Sequence, residues 1–124
     1  MIFIRIYKRT GQSRRMLVIG AGKAGQTLSE LYESPGTRSF NLVGFVDDDR
    51  SKLHKTFHGL KVLGTSERLL PLVDEHRVTD LVVAINGEIQ GATFQTILDA
   101  QEKGVEVTRM PILYEEMTTL GVPA

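Results

Sequence analysis

Apolar and polar positions follow one another along this chain in blocks, and the period changes from block to block. Residues 16–20, MLVIG, form an unbroken apolar run that ends in glycine. Such a run suits a central parallel strand covered on both faces. The next block, KAGQTLSELYE over 23–33, puts Ala24, Leu28, Leu31 and Tyr32 at helical spacing. SPGTRS, 34–39, is dense in turn formers and ends that helix. FNLVGFV, 40–46, predicts a second strand with three aspartates, 47–49, at its carboxyl end. Residues 50–60 are polar and leave room for one short helical turn. KVLG, 61–64, predicts a short third strand.

Thr65 or Ser66 is placed to cap the following helix, with Glu67 in its first turn. Pro71 near its start shortens or kinks it. DLVVAI, 80–85, predicts a fourth strand, and NGEIQG, 86–91, a loop. Residues 92–103 read as a helix with Phe94, Ile97, Leu98 and Gln101 in series, ended by Gly104. VEVTRM, 105–110, alternates as a fifth strand that Pro111 breaks. ILYEEMTTL, 112–120, predicts a last short helix, with Tyr114, Glu115 and Glu116 on a solvated face. Strand and helix thus alternate, which predicts an α/β domain: a doubly wound parallel sheet of about five strands with right-handed crossovers. The expected strand order is 3-2-1-4-5. It reverses beside the first strand, so a ligand crevice is expected above Gly20. No internal repeat or low-complexity segment occurs.

Composition narrows the picture. The 124 residues suffice for one domain with a core. No run of eighteen apolar residues is present to span a membrane. Met1 to Tyr7, interrupted by Arg5, is too short for a signal peptide. The absence of cysteine excludes disulfides and thiolate metal sites and fits a reducing, cytoplasmic setting. Net charge is zero but uneven: Arg5, Lys8, Arg9, Arg14 and Arg15 precede any acid, leaving a net charge of −5 on residues 17–124. The basic arm reads as a solvated leader or as a contact for anionic lipid or nucleic acid. The acidic body, without interleaved stacking aromatics, argues against nucleic acid.

GAGKAG, 20–25, joins the first strand to the first helix, the context in which a GxGxxG loop binds a dinucleotide. Gly20 permits the tight turn, Gly22 leaves backbone bare before a phosphate, and Gly25 lets helix and sheet approach. The N–H groups of residues 22–25, with the helix dipole, suit a pyrophosphate. Ala21 and Ala24 complete the loop, and Lys23 adds charge. Asp47 lies 22 residues after Gly25, near the roughly 20 expected for the carboxylate that accepts from ribose hydroxyls. With Asp48 and Asp49 it would repel a 2′-phosphate, favouring NAD over NADP. Gly64 and Thr65 after the third strand, and Asn86, Gly87 and Glu88 after the fourth, open at the same end of the sheet and complete one expected pocket. The competing reading is a glycine turn in a Rossmann-like fold that has lost its ligand. His54 and His58, four apart, have metal-ligand spacing on a helix, but without a third ligand they read as loop residues. The aspartate run also resembles a metal-holding cluster of glycosyltransferases, though its place after the second strand fits ribose better. No catalytic set accompanies the loop. Tyr7, Tyr32 and Tyr114 have no lysine four residues on, and no serine has an evident histidine base.

The order RRMLVIGAGKAGQTL, NLVGFVDDD, GLKVLGT, TDLVVAI, GVEVTRMPILYEEMT, GVP resembles the Rossmann-like, CoA-binding-like cytoplasmic domain of bacterial polyprenyl-phosphate sugar-phosphate transferases of exopolysaccharide synthesis. It is also similar to domains of nucleotide-sugar dehydratases and epimerases. The resemblance covers about residues 14–123 and implies a three-part reading: 1–14 a basic leader or juxtamembrane linker, 15–110 a Rossmann-like nucleotide-binding domain, 111–124 an exit helix or linker to an absent catalytic domain. It implies a regulatory or substrate-sensing domain that takes NAD(H) or a UDP-sugar, with CoA the weaker candidate, and performs no reaction alone. The implied parent carries membrane helices and a transferase domain, and works at the cytoplasmic face of the inner membrane. A homo-oligomer is the expected assembly. The alternatives are the dinucleotide half of a nucleotide-sugar dehydratase or epimerase, or an emptied scaffold that dimerises.

Overall fold

The apolar run after Arg14 forms strand β1, Arg15–Ile19, in a computed structural model that describes residues 14–32, 41–85 and 88–109. Leu17 and Val18 are fully buried, as a strand covered on both faces requires. The remaining elements are α1 (Lys23–Tyr32), β2 (Asn41–Val46), β3 (Thr56–Phe57), β4 (Leu60–Gly64), α2 (Leu69–Glu75), β5 (Asp80–Val83), α3 (Gly91–Glu102) and β6 (Glu106–Arg109). Short 3-10 turns at Arg50–Lys52 and Ser66–Arg68 precede β3 and α2. The sheet order is β3-β4-β2-β1-β5-β6. Leaving β3 aside, the five parallel strands β4-β2-β1-β5-β6 follow the expected order.

A short sixth strand joins the about five expected. Residues 50–60 hold the short turn but also β3, which pairs antiparallel with β4 through Phe57 opposite Leu60 and Thr56 opposite Lys61. The two residues between, His58 and Gly59, both have positive φ, 51° and 79°. That is the signature of a type I′ hairpin turn, in which the second position favours glycine. The ring of Phe57 stands edge-on to Phe45, centroids 6.1 Å apart, and covers one end of the core.

Alternation along the central strands splits the core. Met16, Val18, Phe45, Val62 and Val82 face α1, which contributes Leu28 and Ala24. Leu17, Ile19, Leu81 and Val83 face α2 and α3, which contribute Leu69, Leu72, Val73, Ile97 and Ala100. Each fully buried Val, Leu, Ile, Phe or Met side chain of this kind is worth roughly 1.5–3 kcal/mol. The inward stripe of α3 differs from the expected series: it runs Thr93, Ile97, Ala100, while Phe94 is half exposed and Gln101 lies at the surface. Thr93 takes the inward place because its hydroxyl donates to Asp48, two residues past the end of β2.

Both α2 and α3 end in the same device. The N–H of Val78 donates to the carbonyl of Val73 and that of Arg77 to Asp74, while Val105 donates to Ala100 and Gly104 to Gln101. These are Schellman closures, with a left-handed residue just past each helix. At α3 that residue is Gly104, as expected. At α2 it is Arg77, with φ 52°. At the opposite end of the sheet from the glycine loop, Arg14 is 5% exposed and its guanidinium lies 2.8 Å from the buried Asp80 carboxylate. Arg15 donates from Nε to the carbonyl of His76. Two cations of the basic arm therefore belong to the packed body. The rest of that arm, the SPGTRS turn, and the exit segment with Tyr114, Glu115 and Glu116 lie outside the described residues.

Candidate functional site

The glycine loop is built from two different needs. Gly20 turns the chain with φ 109°, and its N–H donates to the carbonyl of Val46 at 2.7 Å. A Cβ on Gly25 would fall 1.9 Å from the carbonyl oxygen of Gly20, so no other residue fits while α1 leaves the sheet at this angle. Gly22 is different. A Cβ there would meet nothing nearer than the Lys52 ammonium at 4.0 Å. Packing requires glycine at 20 and 25 but not at 22, where the bare backbone faces open space.

The three aspartates after β2 do three separate jobs. Asp47 accepts from the N–H of Ala21 at 2.7 Å through one oxygen and from the N–H of Asp49 at 2.8 Å through the other. It also lies 3.8 Å from the Lys52 ammonium. Asp48 reaches the next loop: its Oδ1 accepts from the N–H of Ser66 at 2.8 Å, and its Oδ2 accepts from the hydroxyls of Ser66 at 3.1 Å and Thr93 at 2.6 Å. Asp49 caps the Arg50–Lys52 turn, accepting from the N–H and hydroxyl of Ser51. Partial burial pushes the Asp48 carboxyl up, but the hydrogen bonds from Thr93 and Ser66 and the charge of Arg50 outweigh it and hold the group below the usual carboxylate value. The Ser51 hydroxyl and N–H hold Asp49 below it as well. Each carboxylate oxygen accepts more than one hydrogen bond, so Asp47 retains capacity toward a ligand hydroxyl.

Between these groups opens a cleft of 360 Å³. Its floor is the ends of β1, β2 and β5 at Ile19, Val46 and Ala84. Gly20, Gly22, Lys23 and Ala24 form one side, and Asp47, Asp48 and Ser66 form another. Ile85, Ile89 and the first turn of α3 at Thr93 close the far side, with Glu88 and Gln90 between them. Seven expected residues thus line the cleft: Gly20, Gly22, Lys23, Ala24, Asp47, Asp48 and Glu88. Ala21 and Gly25 are buried behind it and shape the loop. Gly64 and Thr65 do not line it. The carbonyl of Gly64 receives the N–H of Asp47 at 3.0 Å; Thr65 makes no side-chain cap, and the N–H of Ser66 donates to Asp48 instead. Asn86 and Gly87 lie outside the described residues. Ser66 and Thr93 were not among the expected site residues. Their one signal was position, a hydroxyl in the first turn of an element opening at the carboxyl end of a strand.

His54 and His58 share no helix face. Both have positive φ, one in the turn before β3 and one in the hairpin. Among the described residues no three of His, Asp or Glu are placed to hold a metal ion.

A parallel sheet with a glycine loop at its reversal point and an acid after the second strand defines a Rossmann-like domain. The chain belongs to the CoA-binding domain family, whose sequence pattern matches residues 1–111. It is 32% identical over 80 residues to the probable polysaccharide biosynthesis protein EpsC of Bacillus subtilis, an alignment that covers 64% of this chain and 13% of that protein. It is 30% identical over 117 residues to the capsular polysaccharide biosynthesis protein CapD of Staphylococcus aureus, covering 89% of this chain and 19% of CapD. The chain therefore spans less than a fifth of the length of either relative. Among solved structures it is similar to UDP-D-quinovosamine 4-dehydrogenase from Vibrio fischeri, with a TM-score of 0.64 and 26% identity over 79% of this chain and 78% of that one.

Proposed function

We propose that this chain is a nucleotide-binding, substrate-sensing domain of a larger bacterial polysaccharide-biosynthesis protein, taking NAD(H) or a UDP-sugar in its cleft and carrying out no reaction alone. The observation that carries this reading is Gly22. Its surroundings leave room for a side chain, yet the position is bare and borders the cleft, as the approach of a ligand phosphate requires. Asp47 stands where a ribose hydroxyl donates, and the apolar floor suits a ring or sugar face. A terminal phosphate on the ribose, as in NADP or CoA, would meet Asp47 and Asp48, which ranks CoA below the other two. The likeness to two polysaccharide-biosynthesis proteins supports the setting. The transferase parent with its membrane helices, a place at the cytoplasmic face of the inner membrane, and a homo-oligomeric state belong to the same proposal.

Thermal melts with NAD, NADH, UDP-glucose and CoA test it. A ligand at 100 times its Kd stabilises by about 2.7 kcal/mol. The expected outcome is an upward shift with NAD(H) or UDP-glucose that Gly22→Val abolishes without lowering the melting point of the free protein. No shift with any of the four would leave the emptied scaffold as the reading.

A second reading, the dinucleotide half of a nucleotide-sugar-modifying enzyme, is favoured by the likeness to a UDP-sugar dehydrogenase. Turnover of a UDP-sugar by this chain together with the remainder of its parent protein, lost in Gly22→Val, would select it.

A further inference from the structure

Lys52 was not among the residues expected at the site, yet among the described residues its ammonium is the one atom that a side chain on Gly22 would approach, at 4.0 Å. It stands at the rim beside the glycine loop, and its side chain is 29% exposed. Its position is fixed from below. Asp49 caps the Arg50–Lys52 turn through Ser51, and the backbone of Lys52 donates to Asp49 and accepts from Lys55 at 2.9 and 3.0 Å. The nearest acid oxygen, Oδ2 of Asp47, is 3.8 Å away. That distance is a charge contact but too long for a hydrogen bond, so the three ammonium protons remain available to another acceptor.

We propose that Lys52 recognises ligand phosphate, and that Lys52 at the rim and Lys23 on the cleft side flank Gly22 to form a subsite for a diphosphate. This rests on the nucleotide-binding reading above. The division of labour follows from charge. Asp47 takes a sugar hydroxyl, while the two lysines and the free N–H groups at the start of α1 face the two phosphates. A nucleoside diphosphate, or a dinucleotide or nucleotide sugar joined through one, engages both cations. A nucleoside monophosphate engages one.

Titration calorimetry on the full chain, with UDP, UMP and NADH as probes, separates the outcomes. For the diphosphates that bind the unaltered protein, Lys52→Ala weakens affinity about tenfold or more, as expected for losing a charged hydrogen bond, and Lys52→Arg restores most of it. The preference for UDP over UMP narrows in Lys52→Ala, and the dependence of affinity on salt becomes shallower while the melting point of the free protein holds. Unchanged UDP and NADH binding in Lys52→Ala would overturn the role of Lys52 and leave the nucleotide-binding reading intact. Equal loss for UDP and UMP with a lowered melting point would assign Lys52 to structure and overturn the role as well. Failure of the unaltered protein to bind any probe would overturn both.

Discussion

Asp48 joins three elements through one carboxylate. Replacing it by alanine leaves the hydroxyls of Thr93 and Ser66, both on buried residues, and the Ser66 N–H without their acceptor. Leaving a buried polar group unpaired costs about 1–3 kcal/mol, so Asp48→Ala is expected to lose at least that much in denaturant unfolding. The group's folded-state pKa is lowered, so its contribution is present above the ordinary carboxylate value, near 4, and fades as pH falls through the folded value. The melting-point gap between wild type and Asp48→Ala should therefore be full at pH 7 and narrow below about pH 4. The acids themselves were legible in the sequence as a run after a strand. Their partners were not, because Ala21, Ser66 and Thr93 lie 26, 18 and 45 residues from the aspartates they bind, and only the fold brings them within reach.

At the level of elements, the long apolar or helical-period segments read correctly because burial on one or two faces leaves a periodic trace. β3 left none: a two-residue strand has no period, and its only sign was the glycine of Phe57-His58-Gly59-Leu60. The stripe of α3 was misassigned for a related reason. Periodicity ranks Phe94 above Thr93, whereas a hydroxyl with a waiting carboxylate is satisfied inside and the ring is tolerated half exposed. The ends of α2 and α3 offer a direct comparison of residue against backbone. Arg77 holds a left-handed conformation that costs a residue with a Cβ about 1–2 kcal/mol, where Gly104 holds its own freely. Arg77→Gly is expected to raise stability by about 0.5–1 kcal/mol after the extra freedom of the unfolded chain is counted, measured by urea denaturation.

For the whole molecule, the order of the five parallel strands and the position of the cleft followed from alternation and from the glycine loop alone. The tie at the other end of the sheet did not, because Arg14 read as part of a solvated arm. Its ion pair with Asp80 is buried on both sides, 2.8 Å long, and joins the start of β1 to the start of β5. Asp80→Ala would strand a buried guanidinium and is expected to cost about 3–5 kcal/mol in chemical unfolding, while the paired change Arg14→Met with Asp80→Leu should restore most of that loss. The sheet order carries a last consequence, for synthesis. Of the described strands β1 leaves the ribosome first, yet it sits between β2 and β5, with Leu17 opposite Leu81. The chain must therefore carry its most apolar strand half-partnered until Asp80–Val83 has emerged, the interval in which a chaperone has most to cover.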